Sequence, residues 1–166
     1  MPAIIRACLL GLSFFAATAP AAAAEGLRTE RNISLDLANR LASAAVAACA
    51  ASGHAVSVTV VDRGGSVKAV QRADEAPIAS LDASRRKAYT AVSFRAPSVT
   101  VMESMQKTPG AQNLWQIDGV IGLAGGQPVK GGGETVGGIG VAGSPAGHLD
   151  DQCALAALKE LADQLR

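Results

Sequence analysis

Two histidines, a lysine set among alanines and a glycine-dense segment are the residues of this 166-residue chain whose chemistry stands out. His54 and His148 are the only imidazoles, and an imidazole nitrogen can ligate a haem iron or an ion at a subunit contact. No C-x-x-C, H-x-x-H or H-E-x-x-H spacing accompanies them, so a preformed zinc site has no support. An exposed histidine at an element boundary is the plainer reading of each. Lys87 is flanked by Ala83, Ala88 and Ala91, so it reads equally as a pocket-edge cation for a ligand carboxylate or as part of a solvated face. Asp62 follows a strand and precedes a tight turn, where a carboxylate usually accepts from local amides. If the chain is an enzyme, Lys87 and Asp62 are the first acid/base candidates.

Gly138-Ile139-Gly140-Val141-Ala142-Gly143 matches the G-x-G-x-x-G pattern, but too little chain follows for the βαβ unit that the dinucleotide fingerprint requires. A glycine-rich strand approached closely by another backbone, or by a flat ligand, is the better reading. Neither a P-loop nor a G-x-S-x-G nucleophile motif is present. The chain is 49% hydrophobic, 17% charged and 3% aromatic, with a formal net charge of +1. That balance excludes a binder relying on broad phosphate neutralisation, and the scarcity of aromatics argues against a single-strand stacking platform. Wholesale disorder is equally disfavoured.

The elements that must position these residues follow from periodicity. Ser34 to Ser52 reads as an amphipathic helix capped by Gly53, and Val56 to Val61 and Ser66 to Arg72 as a hairpin around Asp62-Arg63-Gly64-Gly65. Pro77 opens a second helix to about Phe94, and Ser98 a third through Lys107. Val120 to Ala124 and Thr135 to Ala142 read as strands, with Gly125 to Val129 and Gly131 to Gly133 as loop or bulge and a further short strand around Val129. A last helix runs from about Leu149 to Leu165, with Asp150 and Asp151 favourably placed in its first turn. Hairpins instead of crossovers imply an α+β fold with helices packed on an antiparallel sheet.

Residues 1–24 read as a signal peptide: Arg6, an apolar run from Ala7 to Ala19, and Ala22-Ala23-Ala24 as the cleavage site. The run breaks at Pro20, too short for a stable membrane anchor. The expectation is export to the periplasm or the exterior, leaving residues 25–166 as a single domain. Of its two cysteines, Cys49 and Cys153, the sequence leaves open whether they pair or are separately buried.

Laid out in this order, the chain resembles the GlcG/HbpS family, also called haem-degrading or PduO C-terminal-like domains. The resemblance is carried by Val56 to Asp62 with Gly64-Gly65, Arg72-Ala73-Asp74, Lys87 to Ala91, Gly125-Gly126-Gln127-Pro128, Gly137 to Gly143, and Asp151 to Ala154. It implies a profilin-like central antiparallel sheet of about five strands, homo-oligomers of two or more subunits, and haem or another tetrapyrrole as cofactor. It also implies binding roles for Lys87, Gly125, Gly126 and Pro128, and it departs from the family at Ala73 and Glu75. The candidates for an iron ligand are His54 and His148, with Thr108 and Met102 weaker; Gly138 offers close approach to a flat ring, and Arg85, Arg86, Lys87 or Lys130 would meet propionates. The expected function is haem handling, storage or redox sensing by an exported oligomer. The alternatives are a small-molecule isomerase, lyase or haem-degrading enzyme acting at an oligomer interface, or a partner-binding module without ligand.

Overall fold

In a computed structural model, residues 26–166 are described; the signal-peptide reading lies outside them. Ser34 begins helix α1 (Leu35–Ala51) by accepting from the Leu37 amide, and Gly53 ends it in the left-handed region with φ +77°. Strands β1 (Ser57–Asp62) and β2 (Val67–Arg72) form the expected hairpin. Helix α2 (Ser80–Phe94) starts three residues after Pro77, because the Ser80 hydroxyl and amide both bond back to the Pro77 carbonyl and close a turn. Helix α3 (Ser98–Lys107), two short 3-10 segments, β3 (Gly126–Gly131), β4 (Glu134–Ala142) and α4 (Gly147–Glu160) follow, and the last helix, expected to run to Leu165, gives way after Glu160 to a 3-10 segment, Ala162–Leu165.

The antiparallel sheet has four strands, in the order β2-β1-β4-β3, where about five were expected. Val120 to Ala124, expected as a strand, is irregular backbone. Its polar groups are taken by side chains instead of a ladder: the Ile121 amide donates to Thr90 Oγ1, the Val120 carbonyl accepts from Arg86, and the Leu123 carbonyl accepts from Ser98. The strand around Val129 is the one that forms, and it takes in the expected loop residues Gly126 to Pro128. An edge position tolerates Pro128, which lacks an N–H.

Alternation assigns the two faces. Val58, Val60, Ile139, Val141 and Val129 point toward α1 and α4, forming the main core with Leu41, Ala45 and Ala154. Ser57, Thr59 and Val61 point toward α2, where Ser57 bonds Ser80 and Thr59 bonds Ser84, both at 2.8 Å. Gly126, Gly138 and Gly140 share that face. A Cβ at these positions would strike the α2 carbonyls of Lys87, Ala88 and Ser84 respectively. The glycine-dense segment is therefore a bed on which a helix backbone lies directly against the sheet. Cys49 of α1 and Cys153 of α4 form a disulfide across the opposite layer, with Cα atoms 5.3 Å apart.

Candidate functional site

Because α2 sits so close to the sheet, the side chain of Lys87 has little room except along the end of β4. Its ammonium donates to the Val141 carbonyl at 2.9 Å and to Asp150 Oδ2 at 2.7 Å, and both side chains are 3–4% exposed. Asp150 Oδ1 accepts from the Ser144 amide at 3.0 Å, tying the β4–α4 connection to the same pair. Gly125 closes the far side: with φ +117°, any Cβ there would meet Lys87 Nζ, Asp150 and the Val141 carbonyl. Next to the pair, Asp151 Oδ1 accepts from the Gly125 amide at 3.1 Å and from Gln127 Nε2 at 2.9 Å. Burial pushes the Asp151 carboxyl above the usual range, against the hydrogen bonds from Gln127 and Gly125 that pull it down. Ser98 accepts from the Gly126 amide, so the loop before β3 is pinned from two sides.

The structure thus brings Lys87, Gly125 and Gly126 together around two aspartates that the sequence offers as first-turn helix acids, Asp151 also opening the last motif of the family resemblance. The available signal is the adjacent pair Asp150-Asp151 at the start of a helix, a place where the helix dipole alone accounts for acids. The lysine is buried and paired, neither a solvated face nor a free pocket-edge cation. Above the pair lies a cavity of about 290 Å³, walled by Pro77, Ala83, Leu123, Ala142 and Pro145.

Other sequence candidates lie elsewhere. Gly138 is covered by α2 and offers no surface to a flat ring, and Pro128 serves as an edge-strand residue on the same face. Arg86 donates to the Val120 carbonyl at 2.6 Å, Arg85 pairs with Asp82, and Lys130 is exposed on β3. Asp62 Oδ1 accepts from the Gly64 and Ser66 amides, both at 2.9 Å, which is the local turn role. Asp62 pairs with Gly137 while Lys87 binds Val141, four residues farther along β4, or roughly 13 Å at the strand rise. Within one subunit the two acid/base candidates therefore stand at separate places in the fold.

His54 is half-buried just past α1. It lines a shallow cleft of about 250 Å³ with Leu149, Gln152, Cys153 and Ala156 of α4 and Ala48 of α1. His148 is exposed in the first turn of α4, one helical turn from Gln152 and so on the same side as that cleft. Met102 is half-buried on α3, packed with Met105 over Gly122, and Thr108 is exposed at the α3 terminus. Among the described residues, no three His, Cys, Asp or Glu side chains gather to hold a metal ion, and no helix is long and apolar enough to cross a membrane.

Comparisons with known proteins agree with this architecture. The family model described as "Haem degrading protein HbpS-like" matches residues 33–159. A crystal structure of a double mutant of Streptomyces reticuli HbpS is 43% identical and covers 87% of this chain and 98% of its own, with a TM-score of 0.78. The Klebsiella pneumoniae protein ORFY has the same TM-score at 29% identity, covering 82% of this chain and 95% of its own. A PduOC–haem complex, 24% identical over 77% of this chain and 94% of its own with a TM-score of 0.69, shares the fold. An uncharacterized 15.0 kDa protein of Citrobacter freundii from the dhaT–dhaS intergenic region is 34% identical over 67% of this chain and 80% of its own length. With the family model spanning nearly all of the described fold, the chain belongs to the HbpS-like family, also known as GlcG/HbpS.

Proposed function

We propose that this chain is an exported haem-binding protein that holds the group at a surface cleft and works as a homo-oligomer in haem handling or redox sensing. The observation that carries the reading is its 43% identity to HbpS over 87% of the chain, within a family described by haem chemistry. The PduOC–haem complex, of the same fold, supports a tetrapyrrole as the ligand.

The residues of the His54 cleft fit such a group in chemistry and limit it in geometry. An imidazole stands beside an apolar floor from Ala48, Leu149 and Ala156, the combination that an iron ligand and a porphyrin edge require. At about 250 Å³ the cleft is smaller than the ~300–1,000 Å³ pockets that enclose drug-sized ligands, so most of a haem would project and need cover from a second subunit. His148 extends the donor set on the same side. A bound haem iron would supply one-electron chemistry; the chain's own part is to orient the ring and shield one edge from water. Lys87 is neutralised by Asp150 and so offers a propionate no net positive charge, and Arg86 spends one N–H on the Val120 carbonyl. The disulfide between Cys49 and Cys153 supports residence in an oxidising compartment, as the alanine-rich start of the sequence does.

The test is a hemin titration of residues 25–166, with absorption spectroscopy and sizing of the product. A saturable Soret shift is expected, with stoichiometry of one haem per subunit or per dimer. Replacing His54 by Ala should shift or abolish the band, and His148→Ala should alter it in a bis-imidazole site. A featureless titration of a well-folded oligomer would overturn the reading and favour a partner-binding module. A band unchanged by both histidine variants but lost in Thr108→Ala or Met102→Ala would relocate the site to α3.

A further inference from the structure

We propose that the cavity over the Lys87–Asp150 pair is a second binding site, for a small neutral molecule with an apolar body and one hydrogen-bond-accepting oxygen, such as a ketone. The proposal is independent of haem. An ammonium carries three N–H donors, and the Val141 carbonyl and Asp150 Oδ2 accept two. The third has no protein acceptor among the described residues, although Lys87 lines the cavity and is 3% exposed. Both Asp150 oxygens are engaged, by Lys87 and by the Ser144 amide, and the Ser80 hydroxyl is already bonded to Ser57 and to the Pro77 carbonyl. The lining therefore offers a ligand one charged donor, Lys87, beside the neutral hydroxyl of Ser144, which approaches Cys49 Sγ at 3.8 Å.

The walls select the remainder. Pro77, Ala79 and Ala83 of one segment and Leu123, Ala124 and Ala142 of two others line the cavity, and Leu123 is 46% exposed. Among the described residues, Lys87 and Asp150 are the ionisable side chains that line it. Because Lys87 and Asp150 neutralise each other, an anion entering would lose its hydration without meeting net positive charge, and the Asp151 carboxylate stands next to the pair. A neutral carbonyl oxygen avoids that cost and still receives a charge-assisted hydrogen bond. The cavity, about 290 Å³, suits a ring or short chain of a few carbons.

The experiment titrates the full mature chain with cyclohexanone, methylcyclohexane and cyclohexanecarboxylate, following backbone amides of residues 123–125 and 142–147 and the lysine ammonium resonances by NMR. Saturable shifts in both segments and at one lysine ammonium are expected for the ketone, with affinity about tenfold or more above the hydrocarbon and above the carboxylate. Ala83→Leu fills the cavity from a helical position without touching the ion pair. It should weaken ketone binding at least tenfold while leaving the fold, read from the remaining amides, unchanged. Non-saturable ketone shifts, a carboxylate that binds better, or an Ala83→Leu variant with undiminished affinity would each overturn the proposal.

Discussion

Replacing Lys87 by Met removes the cation from a pair that is almost wholly inside the protein. The loss can be worked from its contacts. Asp150 would keep the Ser144 amide on Oδ1, but Oδ2 would lose its partner at 2.7 Å and the Val141 carbonyl would lose its donor at 2.9 Å. Methionine restores the packed volume, so the cost is electrostatic and not that of a cavity. Breaking one side of a buried pair costs about 3–5 kcal/mol, because the surviving charge stays desolvated. For a domain of this size that lowers Tm by roughly 10–20 °C. The double variant Lys87→Met/Asp150→Asn removes both charges, and the asparagine amide can still accept from Ser144. It should recover most of the loss, because the neutral replacement of a buried pair is often close to isoenergetic. The assay is urea unfolding of the two single variants and the double, with the disulfide intact and the m-value checked for constancy. A single-variant loss below about 1 kcal/mol, the range of exposed pairs, would refute the argument that water is excluded from this pair.

Three further outcomes follow from other contacts. Converting Cys49 and Cys153 to Ala opens a link between residues separated by 104 positions, and chain-entropy reasoning gives a loss of about 4–5 kcal/mol, measurable as a lower urea midpoint than the oxidised parent. Gly140→Ala drives a methyl group into the Ser84 carbonyl and the Ala88 amide of α2, so a loss of about 2–4 kcal/mol is expected, whereas Gly133→Ala meets no atom within 4 Å and should cost only the strain of φ +84°. The raised Asp151 carboxyl binds its proton more readily folded than unfolded. Its contribution to stability therefore falls as pH rises from the ordinary aspartate pKa through the raised folded value, and is lowest above it. Asp151→Asn should raise Tm more at pH 7.5 than near pH 4; an equal effect at both pH values would show that burial does not control this group.

Much of the architecture was legible because local rules and tertiary packing agreed. The hairpin around Asp62 to Gly65, the Ser34 start and Gly53 stop of α1 and the Pro77–Ser80 turn that opens α2 carry their own turn or capping chemistry, so each forms much as its residues dictate. The segment from Val120 to Gly131 was misread because the competing signals were local and the deciding one was not. Val120 to Ala124 has strand-like residues, and Gly125 to Pro128 has turn residues. Only the edge of β4 determines that the second group pairs and the first is held by Thr90, Arg86 and Ser98.

The same division holds for the sites. Hairpin order was enough for an antiparallel α+β fold, though not for its four strands, and the family came from the resemblance of six ordered motifs to GlcG/HbpS proteins. The role of the glycines was visible only as a need for close approach; the tertiary structure decided that the approaching group is the backbone of α2. Whether Cys49 and Cys153 pair depended on how α1 and α4 cross, and whether Lys87 is a solvated cation or a buried one depended on an aspartate 63 residues away. Distances between residues far apart in the chain are set by packing, and no local pattern encodes them.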